Sequence, residues 1–220
     1  MISQLETIEG LAAINLDDIE RSLEGRGYRA ICGVDEVGCG PLAGPVVAAA
    51  VIMPGGVSID GNGDSKKLTA RRREAIFEAI AEAGLVCSVG IMSHEEVDKL
   101  NIRRAALMAM RKAIMDLEQA PDFVLVDGNA AIPRLDFPQM SVVGGDDRCP
   151  AVAAASIVAK VTRDRIMERY QALYPQFSFA QHKGYGTPDH LRELREHGPC
   201  EIHRRSFRPV AELLDQYALF

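Results

Sequence analysis

Two adjacent carboxylates, Asp35 and Glu36, close an apolar run that begins at Ile31. A turn of glycine and proline follows, Gly38-Cys39-Gly40-Pro41-Leu42-Ala43-Gly44-Pro45, and then a second apolar run from Val46 to Met53. Acids at the end of a buried strand are costly unless something cationic lies between them. Glycines there let backbone approach a ligand closely. A third acid, Asp127, ends the run Phe123-Val124-Leu125-Val126. Ser156, Lys160 and Asp164 recur at every fourth position of a long helical pattern and so share one face. Carboxylates converging from these segments would repel one another unless they bound divalent cations, and an all-oxygen donor set suits Mg²⁺ or Mn²⁺. Two such ions about 4 Å apart make a clamp for in-line attack on a phosphodiester. Taken singly, the pieces also have plainer readings. Asp127-Gly128 can be a turn, Asp35-Glu36 a turn cap, and Lys160 with Asp164 an exposed ion pair of little energetic weight.

An α/β architecture is what would bring these segments together. Strands are predicted from about Arg29 to Asp35 and from Val46 to Met53, and the short turn between them predicts antiparallel pairing. Further strands are expected over Val86 to Met92, Phe123 to Asp127 and Met140 to Val143. Helices are expected from Ala70 to Ala83 after a Thr69 cap, from Ser93 with Glu96 as a capping box, and over Asn101 to Glu118. Three more follow: from Pro150 to about Leu173, from Thr187-Pro188 to about Glu196, and from Pro209 to Tyr217. Strands, helices, strands and then helices predict a mixed sheet flanked by helices, with a helical C-terminal part. Asp35, Glu36 and Asp127 then fall at the carboxyl ends of central strands, where open α/β sheets place their sites.

The 220 residues fit one large domain or a domain with an appendage. No apolar run is long enough to span a bilayer, and Met1 to Gly10 lacks the features of a secretory signal, so a cytoplasmic location is expected. Five cysteines without paired metal-ligand spacing read as free thiols. The net charge of −6 is not that of a typical nucleic-acid binder. The bases nevertheless cluster, at Lys66-Lys67 with Arg71-Arg72-Arg73, at Arg103-Arg104 with Arg111-Lys112, at Lys160 to Arg169, and at Arg204-Arg205 with Arg208. Bases in many separate segments favour a long polyanion over a small phosphate ester.

The stretch Gly33 to Pro45 closely resembles the opening signature of type 2 ribonuclease H, the ribonuclease HII family. Blocks at Asp64 to Leu68, Leu125 to Gly128, Ala154 to Arg165, His182 to Thr187 and Ile202 to Phe207 continue the match in the family's order. The resemblance implies a ribonuclease H-like fold with a mixed five-stranded sheet. It matches Asp35, Glu36, Asp127 and Asp164 to the four metal-binding acids, holding Mn²⁺ or Mg²⁺, two ions once substrate is bound. The implied substrates are RNA–DNA hybrids and duplex DNA with an embedded ribonucleotide, incised on its 5′ side to leave a 3′-hydroxyl and a 5′-phosphate. Gly38, Cys39 and Gly40 match the segment that reads the 2′-hydroxyl. Tyr185 matches the tyrosine set against the sugar at the junction, and Lys66 a lysine near the backbone. Ser156, Lys160 and Lys183 fall within matched blocks and join the expected substrate contacts.

The family usually carries arginine where this chain has Cys39. If the 2′-hydroxyl is read by backbone groups, Cys39 preserves them and only a cation near phosphate is lost, so an active enzyme with altered affinity is expected. The competing reading is a hybrid-binding protein with weakened cleavage. Gln216-Tyr217-Ala218-Leu219-Phe220 resembles the short peptide that docks bacterial repair proteins on the DNA sliding clamp, with a terminus packed on its own domain as the alternative. The expected layout is an extension over 1–29, a catalytic core over 30–180 and a helical part over 181–220, in a monomer.

Overall fold

The structure is a computed structural model that describes residues 18–54 and 68–217. The expectations for the glycine loop at 55–63, for Lys66 and its block, and for Ala218, Leu219 and Phe220 lie outside the described residues. Helix α1 (Ile19–Gly25) leads into β1 (Ile31–Val37) and β2 (Val46–Ile52), followed by α2 (Ala70–Glu82), β3 (Val86–Met92), α3 (His94–Leu100) and α4 (Ile102–Met115). Then come β4 (Phe123–Asp127), β5 (Gln139–Val142), α5 (Gly145–Arg148), α6 (Pro150–Leu173), α7 (Phe179–His182), α8 (Pro188–His197) and α9 (Arg208–Tyr217). Among the described residues, no helix is long and apolar enough to cross a membrane.

The five strands form one mixed sheet in the order β3-β2-β1-β4-β5. β1 pairs antiparallel with β2 and parallel with β4. β1 runs two residues beyond its predicted end, so Asp35 and Glu36 lie inside the ladder, opposite Ala49 and Ala48. The hairpin to β2 prolongs pairing past the acids, and the alanines opposite leave them space.

β2 is buried on both faces, which explains its uninterrupted apolar run. Val46, Ala48, Ala50 and Ile52 pack towards α4 with Met110 and Ile114, while Ala49 and Val51 pack towards α2 and α6. Two glycines let helices approach the sheet closely. A Cβ on Gly33 would stand 2.2 Å from the backbone of Ala151 and Val152 on α6, and one on Gly90 would stand 2.0 Å from the Ala109 carbonyl on α4. The predicted caps form: Thr69 accepts from the Arg72 amide, and Ser93 and Glu96 make the reciprocal box. The short helices α5 and α7, four residues each, escape the periodicity argument because one turn carries no repeat.

Candidate active site

The parallel pairing of β1 with β4 places their acids together. Val34 pairs with Val126, so the next residues in register are Asp35 and Asp127, on neighbouring strands. Strands lie about 4.8 Å apart, and side chains alternate between faces. Val34 and Val126 point into the α4 side of the core, which turns Asp35 and Asp127 towards α6. Glu36 turns to the other face and lines a cleft with Cys39, Arg103, Met110 and Asp127. Asp35 is buried, accepts the Glu36 amide at 2.7 Å, and is hydrogen-bonded by the Ser156 hydroxyl from α6. Burial, then Glu36 and Asp127, push its carboxyl well above the ordinary range, and the two hydrogen bonds offset this only in part. A carboxyl held in that state by neighbouring carboxylates is stabilised by a cation placed among them.

A further buried acid follows β5. Its chain end turns through Gly144, in the left-handed region, into α5. The Gly145 amide donates to Asp127 Oδ1 at 2.8 Å, and Asp146, the next residue, is only 7% exposed. Sequence reasoning passed over Asp146, which follows a predicted strand at close range, though after two glycines (Gly144-Gly145-Asp146) rather than directly as Asp35 and Asp127 do. Asp164 behaves otherwise. It lies two turns beyond Ser156 on α6, about 12 Å along the axis. Its carboxylate pairs with Lys160 Nζ at 2.7 Å and lines a different cavity with Arg71, Arg73 and Lys183. No contact among the described residues joins Asp164 to Asp35, Glu36 or Asp127, so the plainer ion-pair reading of Lys160 and Asp164 is what the structure displays. Lys183 pairs with Glu168 at 2.7 Å beside that cavity. Among the described residues, no three acids, histidines or cysteines already stand as a closed chelate. The donor chemistry of Asp35, Glu36, Asp127 and Asp146 fits a hard divalent cation.

Past β1 the Gly38-Cys39-Gly40 turn faces Tyr185. A Cβ on Gly40 would lie 3.6 Å from the Tyr185 ring, which is largely exposed. Cys39 Sγ donates to Glu36 Oε1 at 3.6 Å, and burial with Glu36 pushes its thiol up to about 12, so it remains a neutral donor. Behind Tyr185 lies a buried run of histidines. The Cys200 amide donates to His203 Nδ1 at 3.0 Å, which leaves the His203 proton on Nε2. Nε2 then donates to His190 Nε2 at 3.0 Å, and His190 Nδ1 donates to the Tyr185 carbonyl at 2.9 Å. His182 stacks on His190 with ring centroids 4.1 Å apart, accepts the Gly184 amide at Nδ1, and donates to Glu193. The direction of donation between His203 and His190 requires those two rings to be neutral. Burial, ahead of every other cause, lowers His190 to about 4 and His203 to about 3.

Comparison with known proteins assigns this arrangement. The family model described as Ribonuclease HII matches residues 32–210, which span every group named above. The chain belongs to the ribonuclease HII family. Its curated relatives include the ribonuclease HII of Caldicellulosiruptor saccharolyticus, 50% identical over 88% of this chain and 94% of the relative. That of a Polaromonas species is 53% identical over 84% of this chain and 92% of the relative. Among solved structures, the ribonuclease H2 of Pyrococcus horikoshii superposes with a TM-score of 0.71 at 23% identity, covering 86% of this chain and 98% of that one. The Archaeoglobus fulgidus RNase HII, solved as a complex with PCNA, gives a TM-score of 0.68 at 27% identity, covering 81% and 95%. The fold is therefore ribonuclease H-like. As a member of the ribonuclease HII family the chain is an endonuclease, a hydrolase of phosphodiesters with ribonuclease H activity on RNA–DNA hybrids.

Proposed function

We propose that this ribonuclease H also incises duplex DNA on the 5′ side of a single embedded ribonucleotide, leaving a 3′-hydroxyl and a 5′-phosphate. The observation that carries the reading is the strand register that seats Asp35 beside Asp127 at the carboxyl ends of two central strands, with the glycine turn and Tyr185 alongside. Asp35, Glu36, Asp127 and Asp146 would hold Mg²⁺ or Mn²⁺. When bound, such ions polarise the scissile phosphate and lower the pKa of an attacking water. The remaining work falls to the chain. Ser156 and the Glu36 amide orient the Asp35 carboxyl, and the Gly145 amide orients that of Asp127. Backbone of the glycine turn faces the ribose, where the 2′-hydroxyl alone separates RNA from DNA. Tyr185 offers an exposed ring for the adjoining deoxyribose. Arg71, Arg73, Lys160 and Lys183 border one cavity beside the turn, suited to following a phosphate backbone.

We assign to Asp146 the metal-binding role expected of Asp164, because Asp146 is buried and directly follows Gly145, whose amide binds Asp127, while Asp164 pairs with Lys160. Four carboxylates favour cleavage over the binding-only alternative, since a pure binder gains nothing from clustered acids. Docking on a sliding clamp through Gln216 to Phe220 is a further proposal. It is supported by the resemblance of that peptide and by the PCNA complex of the archaeal relative. The decisive experiment offers the protein a duplex with one ribonucleotide, with Mg²⁺, Mn²⁺ or chelator, and maps the cut. Metal-dependent incision 5′ of the ribonucleotide is expected. Cleavage of long hybrids but not of this duplex would refute the finer reading.

A further inference from the structure

Two arginines are fully buried, Arg163 on α6 and Arg204 after α8, both 0% exposed. Among the described residues, their guanidinium groups hydrogen-bond only to main-chain carbonyls. Arg204 donates to Gly38 O at 2.7 Å, Pro41 O at 2.8 Å, Gly44 O at 3.0 Å and Cys39 O at 3.3 Å. Arg163 donates to Pro45 O at 2.9 Å, Ala43 O at 3.1 Å and Lys183 O at 2.9 Å. The Arg204 amide takes Leu42 O as well. The carbonyls of the glycine turn are thus gathered inward almost one by one. The amides of Cys39 and Gly40, by contrast, donate to no described residue. Gly38 is held at φ +97, a conformation that favours glycine, and a Cβ there would strike Arg163 Nε at 2.4 Å.

Ordinary structural cross-linking does not account for this choice of residues. Neither guanidinium has a carboxylate within ion-pair distance among the described residues. Two buried like charges side by side are unfavourable for the fold. Arg204 is lowered to about 10 by burial first and by Arg163 second. Such a pair is compensated when an anion arrives over it. The part of the turn left without acceptors among the described residues, the Cys39 and Gly40 amides, lies beside the Tyr185 ring.

We propose that Arg163 and Arg204 are positioning residues that hold the Gly38-Cys39-Gly40 turn with carbonyls inward and amides outward, presenting those amides, with the two guanidinium groups beneath them, to the ribonucleotide and its phosphate. In this chain the turn, with Cys39 at its centre, then meets an anion through its backbone, over two buried guanidinium groups. The inference rests on the reading of the turn as the ribose-recognition element.

Arg204→Lys keeps the charge and loses the fork that gathers the carbonyls. On a duplex with one embedded ribonucleotide in Mg²⁺, its KM should rise about tenfold or more, with kcat within about threefold. An all-DNA duplex should compete as well as before, so preference for the ribonucleotide falls by a similar factor. A purely structural role would lower thermal stability and the active fraction without moving KM or preference. A folded Arg204→Lys with wild-type KM and preference overturns the proposal. If that variant does not fold, Arg163→Lys is measured in the same way with the same expected split, and misfolding of both assigns the pair to stability and overturns it. Wild-type enzyme that fails to cut the duplex takes down the reading of the site and this inference with it. Active wild type with unaffected variants takes down the inference alone.

Discussion

Acid should release the segment that carries Tyr185, and the size of the effect follows from the histidine run behind it. His190 and His203 are buried, neutral and committed by their partners to single tautomers. Protonating His203 would put a second N–H on Nδ1, displacing the hydrogen bond it now accepts from the Cys200 amide at 3.0 Å in favour of the longer contact with the Cys200 carbonyl at 3.3 Å. In the unfolded chain each ring titrates near 6.5, while in the folded protein they are lowered to about 4 and about 3. The unfolded state therefore binds more protons over this range, so the stability these rings contribute is present above about pH 6.5 and lost as pH falls towards 4 and 3. Between about pH 7.5 and about pH 5 the folded rings stay neutral. The unfolded ones gain about 1.5 units of protonation free energy each, or about 2 kcal/mol per ring. Asp35 acts in the opposite sense, since its carboxyl is raised in the fold and its cost shrinks as pH falls. The clean measurement is therefore a difference. Urea unfolding of wild type and His203→Asn at both pH values should give a pH-induced loss smaller by about 2 kcal/mol in the variant. Equal losses would refute the neutral, tautomer-locked account of the histidine run.

Two further outcomes are expected. Gly33→Ala places a methyl group 2.2 Å from the backbone of α6, which must move away from β1 and carry Ser156 with it. A loss of about 3 kcal/mol or more in urea unfolding is expected, with wild-type stability contradicting the close approach. Asp146→Asn should lower kcat about 100-fold at saturating Mg²⁺, and Asp164→Asn by no more than about tenfold. The reverse ranking would restore Asp164 as the fourth metal-binding acid.

Much of the protein was legible without coordinates. The strands and long helices follow from periodicity, capping residues and proline placement, because those signals act within a few residues of chain. Asp35, Glu36 and Asp127 could be singled out because acids at the ends of apolar strands are anomalous wherever they occur. Tertiary structure alone shows that strand register sets Asp35 beside Asp127. Spacing along α6 put Asp164 on the face of Ser156, but helical rise carries it about two turns past Asp35 to a partner on its own helix. Asp146 comes near Asp127 through the parallel pairing of β4 with β5, a contact between strands that no local pattern encodes. The same holds for Arg204. In the sequence it is one of a pair of basic residues in a C-terminal cluster, and its neighbour Arg205 is indeed exposed. Only the return of the chain across the glycine turn, 160 to 166 residues away in sequence, turns one of the two into a buried clamp on main-chain carbonyls.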